Sequence, residues 1–388
     1  MRKWLLGILA LLIIAAILFF ILAPAMVEKS MNKVQPVALR ITPRALTLQK
    51  TLDVADLHAD SLLWKRNLLT RSDRGQVDLP RLQAGHYALQ VFSSVTKTPK
   101  HQNYDANSGD TDNITQLVMA DLQPMRTWNS LLQRSLYHAE KLKRFADRSN
   151  GQLRLVTSPA DLQKLVADRR AGTGVVGAML SIEGLQDLEG KIDNLDKLYA
   201  AGFRMAGLAH FFDNDIAGSM HGVKKGGLTL LGRAAVVRME KLCMVVDVAH
   251  SSHQTVAEVI AMARRPIVSS HGGVQATCKV NRNLTDDEIR GIAKTGGVIG
   301  IGYWDAAICS NKPEDAAKAI AYVRDLVGID HVGLGSDFDG AVTTGFDASQ
   351  VAAITQALLD RGFSDDDIRK VMGGNVIRVL TAGMVPGK

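Results

Sequence analysis

Cysteine, proline and aromatic residues are scarce in this chain of 388 residues. Three Cys cannot crosslink a chain of this length into a disulfide scaffold, so a hydrophobic core must stabilise the fold. Ten Pro and 34 Gly, without a repeat, exclude a collagen-like protein. Because 46% of the residues are hydrophobic and the net charge is only +7, the composition also excludes a wholly disordered chain.

Long runs of basic residues are also missing. The positive charge occurs in pairs such as Lys224-Lys225 and Arg264-Arg265, and acidic residues are interspersed. This pattern is typical of a solvated surface, so we expect no nucleic-acid partner.

Long hydrophobic runs are absent except at the N-terminus, where Met1-Arg2-Lys3 precedes an uncharged apolar stretch, Trp4–Val27. This stretch is long enough to cross a bilayer. Ala23-Pro24-Ala25 resembles a signal-peptidase site, but the apolar run is longer than that of a typical signal peptide. We therefore interpret residues 1–27 as a signal anchor, with a signal peptide as the alternative, and residues 28–48 as a polar tether. Either way the rest of the chain is expected outside the cytoplasm, membrane-anchored or exported.

From residue 49 to residue 388, short apolar runs alternate with amphipathic helical segments, a pattern that indicates βαβ units and a parallel sheet. Eight such runs predict an α/β fold, a closed (β/α)₈ barrel of the TIM type. The predicted strands are Leu52–His58, Ala88–Phe92, Val175–Glu183, Arg204–His210, Met244–His250, Pro266–Ser270, Gly297–Tyr303 and Val332–Asp337. The predicted helices include Asn113–Asn150, Ile192–Ala201, Gly232–Lys241, His253–Arg264, Asp286–Lys294 and Pro313–Val327.

Histidines and carboxylates follow several of these strands. The C-terminal ends of barrel strands meet on one face, where active sites are built. Zinc is most often bound by neutral His and by carboxylates. The residues concerned are His58, Asp60, Glu183, His210, His250, His271 and Asp337.

Five of these residues, His58, Asp60, Glu183, His250 and His271, form a set of N and O donors that suits two divalent cations. Taken singly, each has another explanation. His58 and Asp60 could be a core histidine and a capping residue, and Glu183 could pair with an Arg. The joint occurrence at strand ends favours the metal site.

Several segments, in this order and spacing, resemble the signature stretches of the membrane (renal-type) dipeptidases, and the resemblance covers residues 50–382. That family is a zinc-dependent barrel that hydrolyses dipeptides and tolerates a D-residue at the C-terminal position. The segments are Asp56–Asp60, Gln76–Ser93, Ser181–Gly184, Asp247–Ser251, Ser270-His271, Asn281–Asp287, Gly335–Gly340 and Met372–Leu380.

The resemblance implies a role for each matching residue. One zinc ion would be held by His58 and Asp60, the other by His250 and His271, and Glu183 would bridge both around a hydroxide that attacks the peptide bond. The resemblance further implies that His210 contacts the substrate, that Arg282 binds its carboxylate, that Asp337 is the catalytic Asp that also contacts the substrate, and that Cys278 and Cys309 form a disulfide.

Substrate preference is less well defined, because the sequence departs from the family in Leu185-Gln186-Asp187, in the polar loop Thr96–Asp112 and in His210–Gly227. The alternatives are another dinuclear metal amidohydrolase, such as a lactonase or an acyl-amino-acid hydrolase, and an inactive membrane-tethered binding protein on the same barrel. Those amidohydrolases often bridge their metals with a modified Lys, and no predicted strand here ends in Lys. The expected partners are a dipeptide and the membrane, and a homodimer is left open.

Overall fold

The structure, a computed structural model, describes residues 2–385, and its centre is a closed barrel of eight parallel strands. Each strand pairs with the next along the chain, and the last pairs with the first, so the sheet closes and the predicted (β/α)₈ barrel is confirmed. Met1 and Pro386–Lys388, which belong to the predicted anchor and to the predicted barrel region, lie outside the described residues. The barrel strands are β1 (Val54–Ala59), β2 (Tyr87–Val95), β3 (Val176–Glu183), β4 (Phe203–Gly207), β5 (Val245–Asp247), β6 (Val268–Ser269), β7 (Val298–Ile301) and β8 (Val332–Leu334). A short additional strand, Leu153–Leu155, pairs in parallel with β3.

The barrel strands are buried on both faces, which explains why they are continuous apolar runs in the sequence. Every residue of β1, β2 and β3 is buried. Several predicted strands are longer than the observed ones, because the chain leaves the sheet before the functional residue. His250, for example, has a φ of 62°, a left-handed conformation that a strand does not accommodate.

Helices surround the barrel, and two of them, Asp286–Lys294 and Pro313–Val327, have the predicted bounds. Thr285 and Glu288 form a capping box at the start of the first of these. The α-helices are Arg2–Met31, Pro43–Gln49, Leu79–Ala84, Ile114–Ala120, Leu131–Arg148, Pro159–Arg170, Asn194–Ala200, Leu230–Leu242, His253–Met262, Asp286–Lys294, Asp305–Ile308, Pro313–Val327, Ala352–Asp360, Asp365–Arg369 and Asn375–Met384.

The prediction of one long helix over Asn113–Asn150 is wrong. The structure has two α-helices there, of which the first ends at Ala120 and the second begins at Leu131. Leu122 has a φ of 55°, and Pro124 follows two residues later. Proline lacks the N–H that a helix needs and disfavours helical backbone at the preceding residue, so the segment cannot continue as one helix.

The N-terminal helix Arg2–Met31 is apolar enough to cross a membrane, with a mean hydropathy of 3.3 in its most apolar window and none of that window buried. A signal sequence has the same properties. The following segment, expected to be a polar tether, is folded against the barrel. Its strand Lys33–Val34 pairs in parallel with Thr343–Thr344 beyond β8, and its helix Pro43–Gln49 is capped by Thr42.

Candidate active site

The residues predicted from strand ends converge at the C-terminal face of the barrel. His58 lies in β1, Glu183 ends β3, and His210, His250, His271 and Asp337 follow β4, β5, β6 and β8 within three residues. All are buried, as are Asp60 and Arg282. Strand topology alone brings these side chains together, because parallel strands of a barrel end on the same side.

Glu183 is at the centre of this cluster. Its Oε1 lies 3.0 Å from His250 Nε2, 3.3 Å from His271 Nε2 and 3.6 Å from His58 Nε2. Its Oε2 lies 3.4 Å from His210 Nε2. A carboxylate with imidazoles beside both of its oxygens has the arrangement of a bridging ligand.

His58 is surrounded by carboxylates. Its Nε2 lies 3.3 Å from Asp60 Oδ1 and 3.9 Å from Asp337 Oδ1, in addition to its contact with Glu183. Although burial opposes a charge here, the negative charges of Asp60 and Glu183 raise the pKa of His58 to about 10. The pocket therefore stabilises positive charge, and a metal ion would replace the proton.

A second observation also supports metal binding at this site, because several buried N and O atoms of these residues have no hydrogen-bond partner. His58 Nε2, Asp60 Oδ1 and Glu183 Oε2 are examples. Buried polar atoms are nearly always hydrogen-bonded or bound to a metal. Burial and the charge of Arg282 lower the pKa of His250, which keeps its imidazole neutral, the form that binds a metal.

Three groups of residues in this cluster have ligand atoms close enough to share a metal ion. They differ from the prediction, in which His58 and Asp60 hold one ion and His250 and His271 hold the other. His271 groups with His58 and Glu183, whereas His210 joins Glu183 and His250. Asp337 joins His58 and Asp60. His210 and Asp337, expected to act on the substrate, therefore have ligand atoms in the same groups as the expected metal ligands.

Two aspartates that the sequence analysis gave no role hold the ligand-bearing loops. Asp56 Oδ1 accepts hydrogen bonds from the backbone N–H groups of His58, at 2.9 Å, and Ser336, at 3.1 Å. Asp247 Oδ1 accepts from the backbone N–H groups of Ala249 and Ser270, at 2.9 and 2.8 Å. Both lie inside apolar strands, and a carboxylate in such a run was the signal that could have identified them.

Arg282 lies beside the imidazoles. Its Nη1 donates to the His271 carbonyl at 2.9 Å, its Nη2 is 3.1 Å from His250 Nε2, and its guanidinium lies 5.2 Å from the ring centroid of Trp304. Burial lowers the pKa of Arg282. The guanidinium is the cationic group beside the cluster that could bind a carboxylate of a ligand.

Asp337 and Asp339 follow β8 in an irregular loop. Both have left-handed backbone, with φ of 58° and 63°, as does Ala341 with 61°. Such conformations are costly for residues other than glycine and concentrate at functional sites. Burial raises the pKa of Asp337 to about 7, the range in which a carboxyl group can exchange protons at neutral pH.

A pocket of about 630 Å³ opens above these groups. Apolar side chains form much of its wall, and Tyr104, from the polar loop after β2, also lines it. The N-terminal helix contributes to the wall as well, which the sequence analysis did not foresee. The polar lining includes Asp60, Glu183, His210, His250, Arg282 and Asp337.

The structure joins Cys278 and Cys309 in a disulfide, and Cys243 is free. The disulfide connects the loop that contains Arg282 with the residue that follows the short helix Asp305–Ile308. It therefore ties the loop that supplies Arg282 to the loop after β7.

Comparisons with known proteins agree with this geometry. Residues 42–384 match the family described as membrane dipeptidase, peptidase family M19. The dipeptidase aclJ of Aspergillus oryzae is 32% identical over 348 residues, which cover 84% of this chain and 77% of that protein. The dipeptidase verJ of Clonostachys rogersoniana is 32% identical over 311 residues, covering 78% of this chain and 74% of that protein.

Solved structures share the fold. A metallo peptidase from Rhodobacter sphaeroides, liganded with a phosphinate mimic of the dipeptide L-Ala-D-Ala, superposes with a TM-score of 0.70 at 22% identity, covering 86% of this chain and 99% of that one. PvdM of Pseudomonas aeruginosa gives a TM-score of 0.75 at 22% identity, covering 88% of this chain and 99% of that one.

Proposed function

Because the chain belongs to the membrane dipeptidase family, peptidase family M19, and is a metallo-dipeptidase, we propose that it hydrolyses dipeptides with a free carboxylate at a site that holds two zinc ions. The observation that carries the proposal is the buried Glu183, with imidazoles beside both of its oxygens. The ligands of the two ions are His58, Asp60, Glu183, His250 and His271. Bound zinc lowers the pKa of coordinated water and polarises a carbonyl group.

The remaining residues of the site bind the substrate and move protons. Arg282 binds the terminal carboxylate through a charge-assisted pair, which limits substrates to peptides with a free C-terminus. Asp337, whose pKa is raised to about 7, accepts a proton from water and delivers it to the leaving amine. His210 donates a hydrogen bond to the oxygen that becomes negative in the transition state.

The proposed enzyme also accepts dipeptides with a D-residue at the second position. The Rhodobacter sphaeroides peptidase was solved with a mimic of L-Ala-D-Ala, although its similarity to this chain supports a common fold only. The catalytic region, residues 49–388, lies outside the cytoplasm, and the apolar N-terminal helix holds it at the membrane.

The test is a panel of dipeptides with L- or D-Ala at the second position, assayed with the purified full chain in detergent. We expect hydrolysis of both series, loss of activity with a chelator, recovery with zinc, and two zinc ions per chain by elemental analysis. Dipeptide amides should be poor substrates, because they lack the carboxylate that Arg282 binds. An enzyme that cleaves no dipeptide after zinc addition, or that is unaffected by chelation, contradicts the proposal.

A further inference from the structure

One face of the N-terminal helix forms part of the wall of the active-site pocket. Apart from the adjacent Ala23 and Pro24, the contributing residues are three or four positions apart, which places them along one side of a helix. This side faces the pocket that also contains Glu183 and Asp337. The helix residues that line the pocket are Phe19, Ala23, Pro24, Val27 and Met31.

The helix is longer than a membrane span requires. It has 30 residues, whereas about 20 suffice to cross the hydrocarbon core. If the span begins at Trp4, it ends near Ala23. The following residues, to Met31, then lie at the membrane surface, beside the mouth of the barrel. Of the residues that line the pocket, Pro24, Val27 and Met31 lie beyond such a span, whereas Phe19 and Ala23 lie in its last turn.

Buried polar contacts fix this end of the helix. Glu28 is 1% exposed, and its carboxylate pairs with Arg66 Nε at 2.5 Å and with Arg74 Nε at 2.7 Å. Pro24 has no N–H for the Phe20 carbonyl one turn earlier, and Lys65 Nζ lies 3.3 Å from that oxygen. A helix that served only as an anchor would not need such contacts with the catalytic domain.

The same network reaches the loop of the proposed catalytic Asp337. Arg66 also pairs with Asp339, two residues beyond Asp337. Asn32 Oδ1, just past the helix, accepts a hydrogen bond from Ala341 N at 2.8 Å. Ion pairs and a hydrogen bond therefore connect the end of the helix to the loop after β8.

The position of the helix indicates which part of a substrate it contacts. The helix end packs beside the loops after β8 and β1, through Ala341 and Arg66, whereas Arg282 follows β6. In a ring of eight strands, β6 lies opposite β2 and is three strands from β1. The N-terminal helix also contacts the helix Ile114–Ala120, which follows β2. A dipeptide with its carboxylate at Arg282 therefore directs its amino-terminal residue towards the helix.

We propose that the last turns of the N-terminal helix form the subsite for the first side chain of the substrate, so that the enzyme prefers dipeptides whose amino-terminal residue is bulky and apolar. The proposal rests on the dipeptidase function proposed above. Val27 and Met31 carry this preference, since both line the pocket, both are 41% exposed and both lie beyond the membrane span. A pocket of about 630 Å³ is also large enough for a substrate well above the size of Gly-Ala.

The test compares kcat/KM for Leu-Ala and Gly-Ala in the full chain and in a double variant, Val27→Ser with Met31→Ser. We expect the wild type to favour Leu-Ala by about tenfold or more, and the double variant to lose about tenfold on Leu-Ala while Gly-Ala changes less than twofold. Met26→Ser is the matched control, because Met26 is 68% exposed on another side of the helix. It should keep the wild-type ratio.

A second variant, Val27→Phe, narrows the pocket instead of polarising it and should also reduce Leu-Ala hydrolysis selectively. An unchanged ratio in both variants, or an equal loss on both substrates, overturns the helix subsite. A wild type that hydrolyses neither dipeptide after zinc addition contradicts the dipeptidase function itself, so the two failures are distinguishable.

Discussion

Two aspartates of the loop after β8 differ in what surrounds their carboxylates. Asp337 lines the pocket, 3.9 Å from His58 Nε2. Asp339 is fully buried, pairs with Arg66, and accepts a hydrogen bond from Gln76 N at 2.6 Å. One carboxylate is available to a substrate, whereas the other holds the loop in place.

Substituting each aspartate by Asn should therefore have different consequences. Asp337→Asn should lower kcat by roughly 10²–10⁴ with little change in KM, because it removes the proton carrier and keeps the shape. Asp339→Asn should lower the free energy of unfolding by about 3–5 kcal/mol, because it breaks a buried ion pair. Dipeptide kinetics and denaturant unfolding measure the two effects. If Asp339→Asn retains full stability and abolishes turnover, the two roles are assigned to the wrong residues.

Asp187 is a buried carboxyl group outside the metal cluster. It accepts hydrogen bonds from Thr96 and Ser135, and burial raises its pKa to about 8. Between about pH 4 and pH 8 the folded protein therefore holds a proton there that the unfolded chain has released. The free energy of unfolding should decrease as the pH rises through this window.

Asp187→Asn should make that decrease shallower by up to about 1.4 kcal/mol per pH unit, the value for one proton. Denaturant unfolding at several pH values between 4 and 8 measures the slope. Asp366→Asn is the control, since Asp366 is exposed, and it should leave the slope unchanged. Equal slopes in the wild type and in Asp187→Asn would show that Asp187 is ionised throughout.

At the scale of elements, the loops after β6 and β7 are tied together beside the pocket. The disulfide between Cys278 and Cys309 spans a sequence separation of 31 residues. Asn283, next to Arg282, donates to the carbonyls of Cys278 at 2.8 Å and Ala307 at 2.9 Å. The position of Arg282 therefore depends on a connection between two loops.

Removing this connection by Cys278→Ser with Cys309→Ser should lower the free energy of unfolding by about 3–4 kcal/mol in the chain-entropy model. Cys243→Ser, which removes the free thiol, should have a smaller effect. Alkylation of the denatured, unreduced protein should label one thiol, detected by intact mass. Labelling of three thiols would mean that no disulfide exists in the purified protein.

At the scale of the whole molecule, one apolar helix separates the catalytic barrel from the N-terminus. The helix has the length of a membrane span plus about two turns, and those turns contact the barrel. Cleavage after Ala25, as in a signal peptide, would remove Phe19, Ala23 and Pro24 from the pocket wall. Whether the helix is retained therefore affects the shape of the active-site pocket as well as membrane anchoring.

The full chain should remain in the membrane fraction after an alkaline carbonate wash, whereas a variant lacking residues 1–22 should be released and keep its preference for Leu-Ala. The reason is that the deletion removes the span but retains the turns that contain Val27 and Met31. Membrane fractionation and N-terminal sequencing of the mature protein measure both points. A mature N-terminus at Met26 would show cleavage and would contradict the anchor.

The sequence by itself determined the barrel and the location of its chemistry. Eight apolar runs alternating with helices have one common closed arrangement, and parallel strands necessarily end on one face. His58, Glu183, His250 and His271 could therefore be brought together by counting strands. No knowledge of individual contacts was needed, because the topology fixes which ends meet.

Only the tertiary structure decided how neighbouring residues divide their roles. The resemblance singled out Asp337, but no local pattern separates it from Asp339. In the structure Asp337 lines the pocket, whereas Asp339 pairs with Arg66. The contact of Glu28 with Arg66 joins residues 38 positions apart in the chain. Such pairings depend on loop conformation and on burial, which local sequence patterns do not encode. They make the end of the expected anchor, together with Met31 of the expected tether, part of the pocket wall.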